Sequence, residues 1–284
     1  MASDAQSEYS VALNAAYGLD AAQDLKGALR HLQVAADLGH QPARAELAAL
    51  VGNWRLVGDI RSGKPVPPDM WQRLRSAVDV GAWSRVPDAR RLSLQPRIAM
   101  LKRLISPGAC DWLIALARPH LERQQTLDPE SGEKVDHSAR TNSGAELLPG
   151  RFDSVVAFVR ARVAAVAGVS TGNLDTSQVL HYAVGEQFAP HYDFLSTQHP
   201  GYARQVAEWG QRAYTVLIYL NDDFEGGETY FPRLERGFKG RKGDALLFWN
   251  VTPEGAPDRL TLHMGAAPTR GEKWLFSQWI RVRP

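Results

Sequence analysis

The sequence predicts an α+β protein, with helices in its N-terminal part and an antiparallel β-sandwich or barrel in its C-terminal part. Alanine and leucine recur at helical spacing within the first 60 of the 284 residues, and residues 61–96 are rich in proline and arginine. From Ser177 onward, short strand-like runs follow one another with turn signals between them. We therefore expect a helical, repeat-like segment over residues 1–60, a linker with a short helix over residues 61–96, and the main domain over residues 97–284.

The N-terminal segment predicts a hairpin of two short helices, with Gly39 at the end of the first. The apolar residues at helical spacing are Leu25, Ala28, Leu29, Leu32, Ala35 and Ala36. The pattern resembles a tetratricopeptide-like repeat, but only one repeat is clear, whereas such arrays need about three to bury a core. Two roles stay open: a docking surface for a protein partner, and a prop packed against the main domain. We favour the prop.

Two helices and a series of strands are predicted in the main domain. Ser106 and Pro107 stand where a helix N-cap and a first-turn proline are expected, so PGACDWLIALARPHL predicts a helix. A second helix, FDSVVAFVRARVAAVAG, ends at Gly168. The predicted strands are RIAMLKRLI, SQVLHYAV, RAYTVLIYL, ETYF, DALLFWN, RLTLHMGA and KWLFSQWIRV.

The composition excludes several classes of protein. The hydrophobic fraction of 44% and the charged fraction of 23% are those of a globular chain. The formal net charge is +2 and basic residues are spread along the chain, so no nucleic-acid partner is indicated. No run approaches the roughly 18 apolar residues of a membrane span, and the single cysteine, Cys110, suits a reducing compartment. We expect a soluble, cytoplasmic protein without a membrane partner, in which any metal is bound by nitrogen and oxygen ligands.

A candidate metal site lies in the C-terminal half of the sequence. His191 and Asp193 are two residues apart in PHYDF, and strand geometry would place both side chains on one face. His263, near the end of the predicted strand RLTLHM, would complete the set if it came from a facing strand. Two histidines and one carboxylate on one side of a metal leave about three positions open, which is typical of non-haem iron(II) oxygenases.

The His-x-Asp pair alone is weak evidence, because about 0.5 such pairs are expected by chance in this chain. His120 and Glu122 have the same spacing, but they lie at the end of a predicted helix, where residues two apart do not share a face. His181 is out of phase with Tyr182 in its strand, so we do not expect it in the site. Lys273 supports the triad, because it begins a strand from which a cation reaches across a barrel to a carboxylate.

Several ordered stretches support this interpretation: HSARTNSGAEL, QVLHYAVGEQFAPHYDF, RAYTVLIYLNDDFEGGETYFP, KGDALLFWN and LHMGAAPTRGEKWLFSQWI. From about Arg97 to the C-terminus, the sequence closely resembles the catalytic domain of the prolyl 4-hydroxylases, members of the iron(II)- and 2-oxoglutarate-dependent dioxygenase superfamily. The resemblance implies a double-stranded β-helix, or jelly roll. It also implies hydroxylation of a C–H bond of a peptidyl proline, with release of succinate and CO2.

The resemblance further implies iron(II), 2-oxoglutarate and dioxygen as cofactors, with ascorbate as a supporting reductant. The implied residues are His191, Asp193 and His263 for the metal and catalysis; Lys273, Tyr182 and Thr215 for 2-oxoglutarate, with Lys273 on its distal carboxylate; and Arg140 and Trp249 for the substrate. Two departures from the family pattern bear on the prime substrate. Asn142 replaces the usual serine of an Arg-Thr-Ser sequence, and His181 replaces the arginine that commonly precedes the site tyrosine.

Two other functions stay open. One is the same chemistry on a free amino acid or other small molecule, and the other is a non-catalytic scaffold that binds metal or 2-oxoglutarate. A cupin-like enzyme of other chemistry is disfavoured by Lys273 in its GEKW context. We expect the polar loop over residues 122–139 to be a mobile lid over the substrate, and the loop over residues 196–211 to be the opposite wall. A long open groove between them would favour a peptide, and a closed pocket would favour a small molecule.

Overall fold

The structure is a computed structural model that describes residues 4–148 and 153–282. Most of its α-helices begin after an Asp, Asn or Ser residue whose side chain accepts a backbone N–H of the first turn. The helices are α1 (Ala5–Tyr17), α2 (Leu25–Asp37), α3 (Gln41–Leu50), α4 (Trp54–Arg61), α5 (Met70–Ala77), α6 (Val80–Ser84), α7 (Pro107–Ala117), α8 (Ser154–Ala167) and α9 (Pro200–Trp209).

The strands are short in the loops and long in the centre of the main domain. They are β1 (Ala89–Ser93), β2 (Ile98–Leu101), β3 (Glu122–Arg123), β4 (Thr126–Leu127), β5 (Lys134–Val135), β6 (Ser143–Leu147), β7 (Ser177–Tyr182), β8 (Phe188–His191), β9 (Gln211–Tyr219), β10 (Glu225–Gly226), β11 (Thr229–Phe231), β12 (Arg236–Phe238), β13 (Ala245–Trp249), β14 (His263–Gly265), β15 (Pro268–Arg270) and β16 (Lys273–Val282).

Two antiparallel sheets form the jelly roll. The larger sheet has the order β1-β2-β13-β9-β16-β7-β6-β3, and the smaller has the order β12-β11-β14-β8. One apolar core contains residues of both sheets, including Leu217 and Leu275 of the larger and Phe231 of the smaller. The other face of the larger sheet is covered by α7 and α8, which share a second core with it. The predicted α+β class with a C-terminal jelly roll is confirmed.

The N-terminal helices pack against the main domain. Their apolar residues share a core with Trp112 of α7 and with Val155 and Phe158 of α8. At the start of α8, the buried Glu46 of α3 accepts hydrogen bonds from the backbone N–H and the hydroxyl of Ser154, at 2.9 and 2.6 Å. The burial of Glu46 raises its pKa. The helical segment and the main domain are therefore joined by both apolar and polar contacts.

The structure changes several predicted elements. The predicted strand RIAMLKRLI ends at Leu101, and the predicted loop over residues 196–211 contains the helix α9. The predicted linker, residues 61–96, contains α5, α6 and β1, and β1 pairs with β2 at the edge of the larger sheet. Because this stretch contains many Pro and Arg residues, its sequence pattern did not predict the strand β1. The predicted strand RLTLHMGA is wrong in its first half, where Arg259–Thr261 form a 3-10 helix and the strand begins at His263. The boundaries at residues 60 and 96 stay predictions, and Phe152, the first residue of the predicted second helix, lies outside the described residues.

Among the described residues, no helix is both long enough and apolar enough to cross a bilayer.

Candidate metal centre

The three predicted metal ligands meet at one end of the smaller sheet. His191 is the last residue of β8 and His263 is the first residue of β14, and the two are paired directly in antiparallel register. Asp193 lies two residues after His191, in a bend. The prediction that His191 and Asp193 share a strand is therefore wrong, because the strand ends at His191. His263 comes from the adjacent strand of the same sheet and not from a facing one.

The three side chains lie close enough together for one ion. His191 Nε2 is 3.7 Å from Asp193 Oδ1, and His263 Nε2 is 3.5 Å from Asp193 Oδ2. One ligand atom from each residue lies within 4.8 Å of the other two, and among the described residues this is the one such group of His, Cys, Asp or Glu side chains. Two imidazoles and one carboxylate match the donor set of a facial iron(II) site.

Hydrogen bonds prepare both histidines for a metal. Nδ1 of His191 lies 2.8 Å from the carbonyl oxygen of Ala189, and Nδ1 of His263 lies 3.0 Å from that of Thr261. A carbonyl oxygen can only accept, so each Nδ1 carries the hydrogen and each Nε2 offers its lone pair.

The charges at the centre also suit a metal. Burial, reinforced by His263, lowers the pKa of His191 to about 3. Burial alone would raise the pKa of Asp193, but His263, His191 and a hydrogen bond from Thr215 outweigh it and hold that pKa below the ordinary value. At neutral pH His191 is neutral and Asp193 is ionised, which are the forms that bind metals.

Lys273 and Tyr182 lie beside the triad in a small inner cavity of about 30 Å³, which His191, Asp193 and His263 also line. Lys273 begins β16 and pairs with Tyr182 of β7, and its Nζ lies 4.7 Å from the centre of the Tyr182 ring. The side chain is fully buried, and Nζ has no hydrogen-bond partner among the described residues. An isolated buried ammonium is unfavourable, so a bound anion would stabilise the charged form of Lys273 here.

Thr215 has a different place from the one predicted. Its hydroxyl donates to Asp193 Oδ2 at 2.7 Å, and it lines neither the inner cavity nor the larger cavity beyond it. The structure thus places Thr215 on a metal ligand, whereas Thr229 and Ser277 line the inner cavity near Lys273. Neither of these two residues had a signal of its own in the sequence, because each is one small polar residue in a strand pattern.

A larger outer cavity of about 990 Å³ opens beside the triad. Arg140, Phe188 and Trp279 line both cavities, so they form the wall between them. Arg140 is 4% exposed, and its guanidinium lies 4.5 Å from the centre of the Phe188 ring. Its Nη1 donates to the carbonyl oxygen of Gln125 at 2.8 Å. Arg140 therefore lies where a substrate would pass, and its role as a substrate contact stays a prediction.

The structure does not bring Trp249 to the site. Its ring packs at 5.9 Å from that of Tyr214, with the guanidinium of Arg97 at 5.2 Å, and it lines neither cavity. The residue ends β13 on the face turned toward α7 and α8, where it packs against the second core. Trp279 is the tryptophan that lies between the cavities.

His181 and the His120–Glu122 pair stay outside the metal group. His181 Nε2 contacts Glu272 at 2.8 Å and its Nδ1 contacts the hydroxyl of Ser143 at 3.0 Å, and it lines neither cavity. His120 and Glu122 line the outer cavity. Glu122 lies in β3 and not in a helix, so the argument from helix phase does not apply to this pair.

The loop over residues 122–139 contains the hairpin β4–β5, which contacts α9. The Tyr202 hydroxyl of α9 donates to the carbonyl oxygen of Leu127 at 2.8 Å. The backbone N–H of Gly201 donates to the carbonyl oxygen of Pro129 at 3.1 Å. A Cβ added to Gly201 would lie 2.3 Å from the backbone nitrogen of Gly132, so the two backbones touch. The hairpin and Tyr202 both line the outer cavity, and their contact closes it on that side. We call this hairpin and α9 the roof.

Comparison with known proteins assigns the chain to a class. Residues 177–281 match the sequence profile of the 2OG-Fe(II) oxygenase superfamily. Probable prolyl 4-hydroxylase 10 of Arabidopsis thaliana is 33% identical over 210 residues, which cover 67% of this chain and 71% of that protein. Prolyl 4-hydroxylase 1 of the same plant is 33% identical over 236 residues, which cover 75% and 82%. The chain belongs to the prolyl 4-hydroxylase family of 2-oxoglutarate-dependent dioxygenases.

A similar chain is also found among solved structures. The viral collagen prolyl hydroxylase of Paramecium Bursaria Chlorella virus-1, solved as its 2OG complex, has a TM-score of 0.49 and 26% identity. The match covers 65% of this chain and 96% of that one. Family membership confirms the predicted cofactors: iron(II), 2-oxoglutarate and dioxygen, with ascorbate typical of prolyl hydroxylases.

Proposed function

We propose that this protein hydroxylates a C–H bond of a peptidyl proline and converts 2-oxoglutarate and dioxygen to succinate and CO2. The observation that carries the proposal is the buried Lys273 ammonium, which lacks a partner among the described residues and shares the inner cavity with the triad. 2-Oxoglutarate has one carboxylate for a metal and a second for this cation. Proline is proposed as the target because the relatives are prolyl 4-hydroxylases by name.

When bound, iron(II) and 2-oxoglutarate supply the oxidising chemistry: one oxygen atom of O2 enters the substrate C–H bond, and the other enters succinate as CO2 leaves. The protein's own residues place the reactants. His191, Asp193 and His263 would hold the metal, and Lys273 would fix the distal carboxylate of 2-oxoglutarate by a charge-assisted contact. Tyr182, which is 2% exposed and lines the same inner cavity, would contact 2-oxoglutarate beside Lys273. The target C–H bond would approach from the outer cavity, past Arg140.

A small-molecule substrate is the second candidate. The outer cavity of about 990 Å³ lies at the upper end of the volumes of ligand pockets, which favours a peptide segment. The contact between the β4–β5 hairpin and α9 closes one side of this cavity. A closed cavity favours a small molecule unless the hairpin opens. We expect the hairpin to open for a peptide.

The test begins anaerobically with iron(II) and 2-oxoglutarate, and follows the weak visible charge-transfer band of the chelate. Oxygen is then added with a proline-rich peptide, with the same peptide in which alanine replaces proline, or with free proline, and succinate is measured. The expected result is a band, succinate release stimulated by the first peptide alone, and a mass gain of one oxygen atom on that peptide. Stimulation by free proline alone would support the small-molecule candidate. Absence of the band would leave the non-catalytic scaffold.

The N-terminal helices are proposed to act as a prop, which their shared core with α7 and α8 and the contact of Glu46 with Ser154 support. A protein partner on their outer surface, the domain boundaries and a cytoplasmic location remain predictions.

A further inference from the structure

Asp193 is held differently from the two histidines. Each histidine ends or begins a strand and is oriented by a backbone carbonyl, whereas Asp193 lies in a bend where no strand geometry fixes its side chain. Its Oδ2 accepts a hydrogen bond from the Thr215 hydroxyl at 2.7 Å, and that hydroxyl oxygen accepts one from Nδ2 of Asn250 at 2.9 Å. A chain of two hydrogen bonds thus ends on the carboxylate.

The direction of this chain follows from the chemistry of its ends. An ionised carboxylate can only accept, so the single hydrogen of the Thr215 hydroxyl points to Asp193. The hydroxyl oxygen is then left to accept, which requires the amide nitrogen of Asn250, and not its oxygen, to face Thr215. Asn250 Oδ1 has no hydrogen-bond partner among the described residues, so the hydrogen bond of Nδ2 to Thr215 is the side-chain contact on which the argument rests.

The chain is buried and anchored in the larger sheet. Asp193, Thr215 and Asn250 are 4%, 1% and 0% exposed. Thr215 belongs to β9, and Asn250 directly follows the neighbouring strand β13. Hydrogen bonds hold both backbone polar groups of Asn250. Its N–H donates to the carbonyl oxygen of Ala213 at 2.8 Å, and its carbonyl oxygen accepts from the N–H of Asp258 at 2.9 Å. The two hydrogen bonds therefore connect the bend of the smaller sheet to central strands of the larger one.

We propose that Asn250 and Thr215 are positioning residues that hold Oδ2 of Asp193 and leave Oδ1 as the oxygen that binds the metal. An oxygen engaged by a short hydrogen bond in a buried site is less available to a cation than its free neighbour. A carboxylate that binds through one oxygen keeps coordination positions free for 2-oxoglutarate and dioxygen. The inference rests on the proposed function through the metal alone, and is independent of the substrate.

The test measures metal binding without turnover. Co(II) serves as the probe, titrated into the metal-free full-length protein by calorimetry, with the visible spectrum recorded for the coordination geometry. Thr215→Val removes the hydroxyl and keeps the shape, while Thr215→Ser keeps the hydroxyl. We expect Thr215→Val to weaken Co(II) binding about 10- to 100-fold and to change the spectrum, with Thr215→Ser close to the wild type. Asn250→Ala, which leaves the Thr215 hydroxyl free to rotate, should weaken binding by a smaller factor.

The outcomes separate this inference from the proposed function. Thermal unfolding of the metal-free variants reports any purely structural loss. If Thr215→Val and Asn250→Ala lower the unfolding temperature but bind Co(II) as the wild type does, both residues are structural and the positioning role is overturned. The proposed function survives that result provided that the wild type binds Co(II) and Asp193→Ala does not. If the wild type binds no Co(II), both proposals fail together.

Discussion

The inner cavity and the roof lie on two sides of the same reaction space but are built in opposite ways. Asp193, His263 and Lys273 are at most 4% exposed and come from strands, or a bend, that the jelly roll holds in place. The roof consists of a hairpin with two residues in each strand and of α9, in which Gly201 is the one buried residue. Segments with few buried apolar contacts open at low free-energy cost. The chemistry is thus fixed by the core, while access to it depends on contacts that open easily.

The largest expected effect is on the inner side. Asp193→Ala removes the single carboxylate of the triad, so we expect loss of iron-dependent turnover, measured as succinate release. The fold should persist, because Asp193 lies in a bend outside the strands. Retained hydroxylation with a normal succinate yield would contradict the assignment of Asp193 as a metal ligand. Circular dichroism of the variant controls for unfolding.

Lys273→Ala tests the anion position. Removing one partner of a buried charge pair costs about 3 kcal/mol, so we expect the KM for 2-oxoglutarate to rise on the order of 100-fold. The kcat at saturating 2-oxoglutarate should change less.

Lys273→Met is the matched control for packing, because it keeps the length of the side chain and removes the charge. Both variants should raise the KM similarly if the charge is responsible. An increase in Lys273→Ala alone would mean that the cavity left behind, and not the ammonium, causes the effect.

The inner side was largely predictable from sequence, because its residues lie in short motifs at fixed spacings. His191, Asp193, His263 and Lys273 meet as expected, even though the strand that should carry His191 and Asp193 ends between them. Asn250 was missed because its relation to Thr215 depends on the pairing of β13 with β9, which no local pattern reveals.

The roof was predicted only as two polar loops. Their contact includes the close approach of Gly132 and Gly201, which are far apart in sequence and touch through backbone atoms. Trp249 was misplaced for a related reason, since a strand pattern gives the alternation of side chains but not which face meets the cavity. Sequence therefore predicts sites built within strands better than sites built between loops.

Gly201→Ala tests the roof. The added methyl group would meet the backbone of Gly132, so the hairpin must shift away from α9. Such overpacking costs about 1 to 2 kcal/mol, and we expect the KM for a peptide substrate to change on the order of 10-fold while the KM for 2-oxoglutarate stays constant. Gly58→Ala is the control, because an added Cβ there meets no atom of the described residues within 4 Å. Equal effects of the two variants, or a change in the 2-oxoglutarate requirement, would contradict the separation of roof and inner cavity.

The last expected effect is a pH dependence confined to the inner side. Burial lowers the pKa of Lys273 to about 7, with Glu228 opposing and Lys239 adding to the shift. Below this pH the empty site already holds an ammonium. Above it the amine is mostly neutral, and binding of the 2-oxoglutarate dianion requires uptake of a proton. The KM for 2-oxoglutarate should therefore rise with pH above about 7, approaching tenfold per pH unit, while the KM for the substrate follows no such trend.

Lys273→Met separates this effect from the titration of other groups, since it has no proton to gain. Its KM for 2-oxoglutarate should be high and should lack the additional rise that the wild type shows above about pH 7. If the KM for 2-oxoglutarate changes with pH in the same way in both proteins, the proton is taken up by another group. The burial of Lys273 would then not cause the pH dependence. A rise in the wild type alone would show that the burial of Lys273, whose Nζ has no hydrogen-bond partner among the described residues, makes the binding of its anion depend on pH.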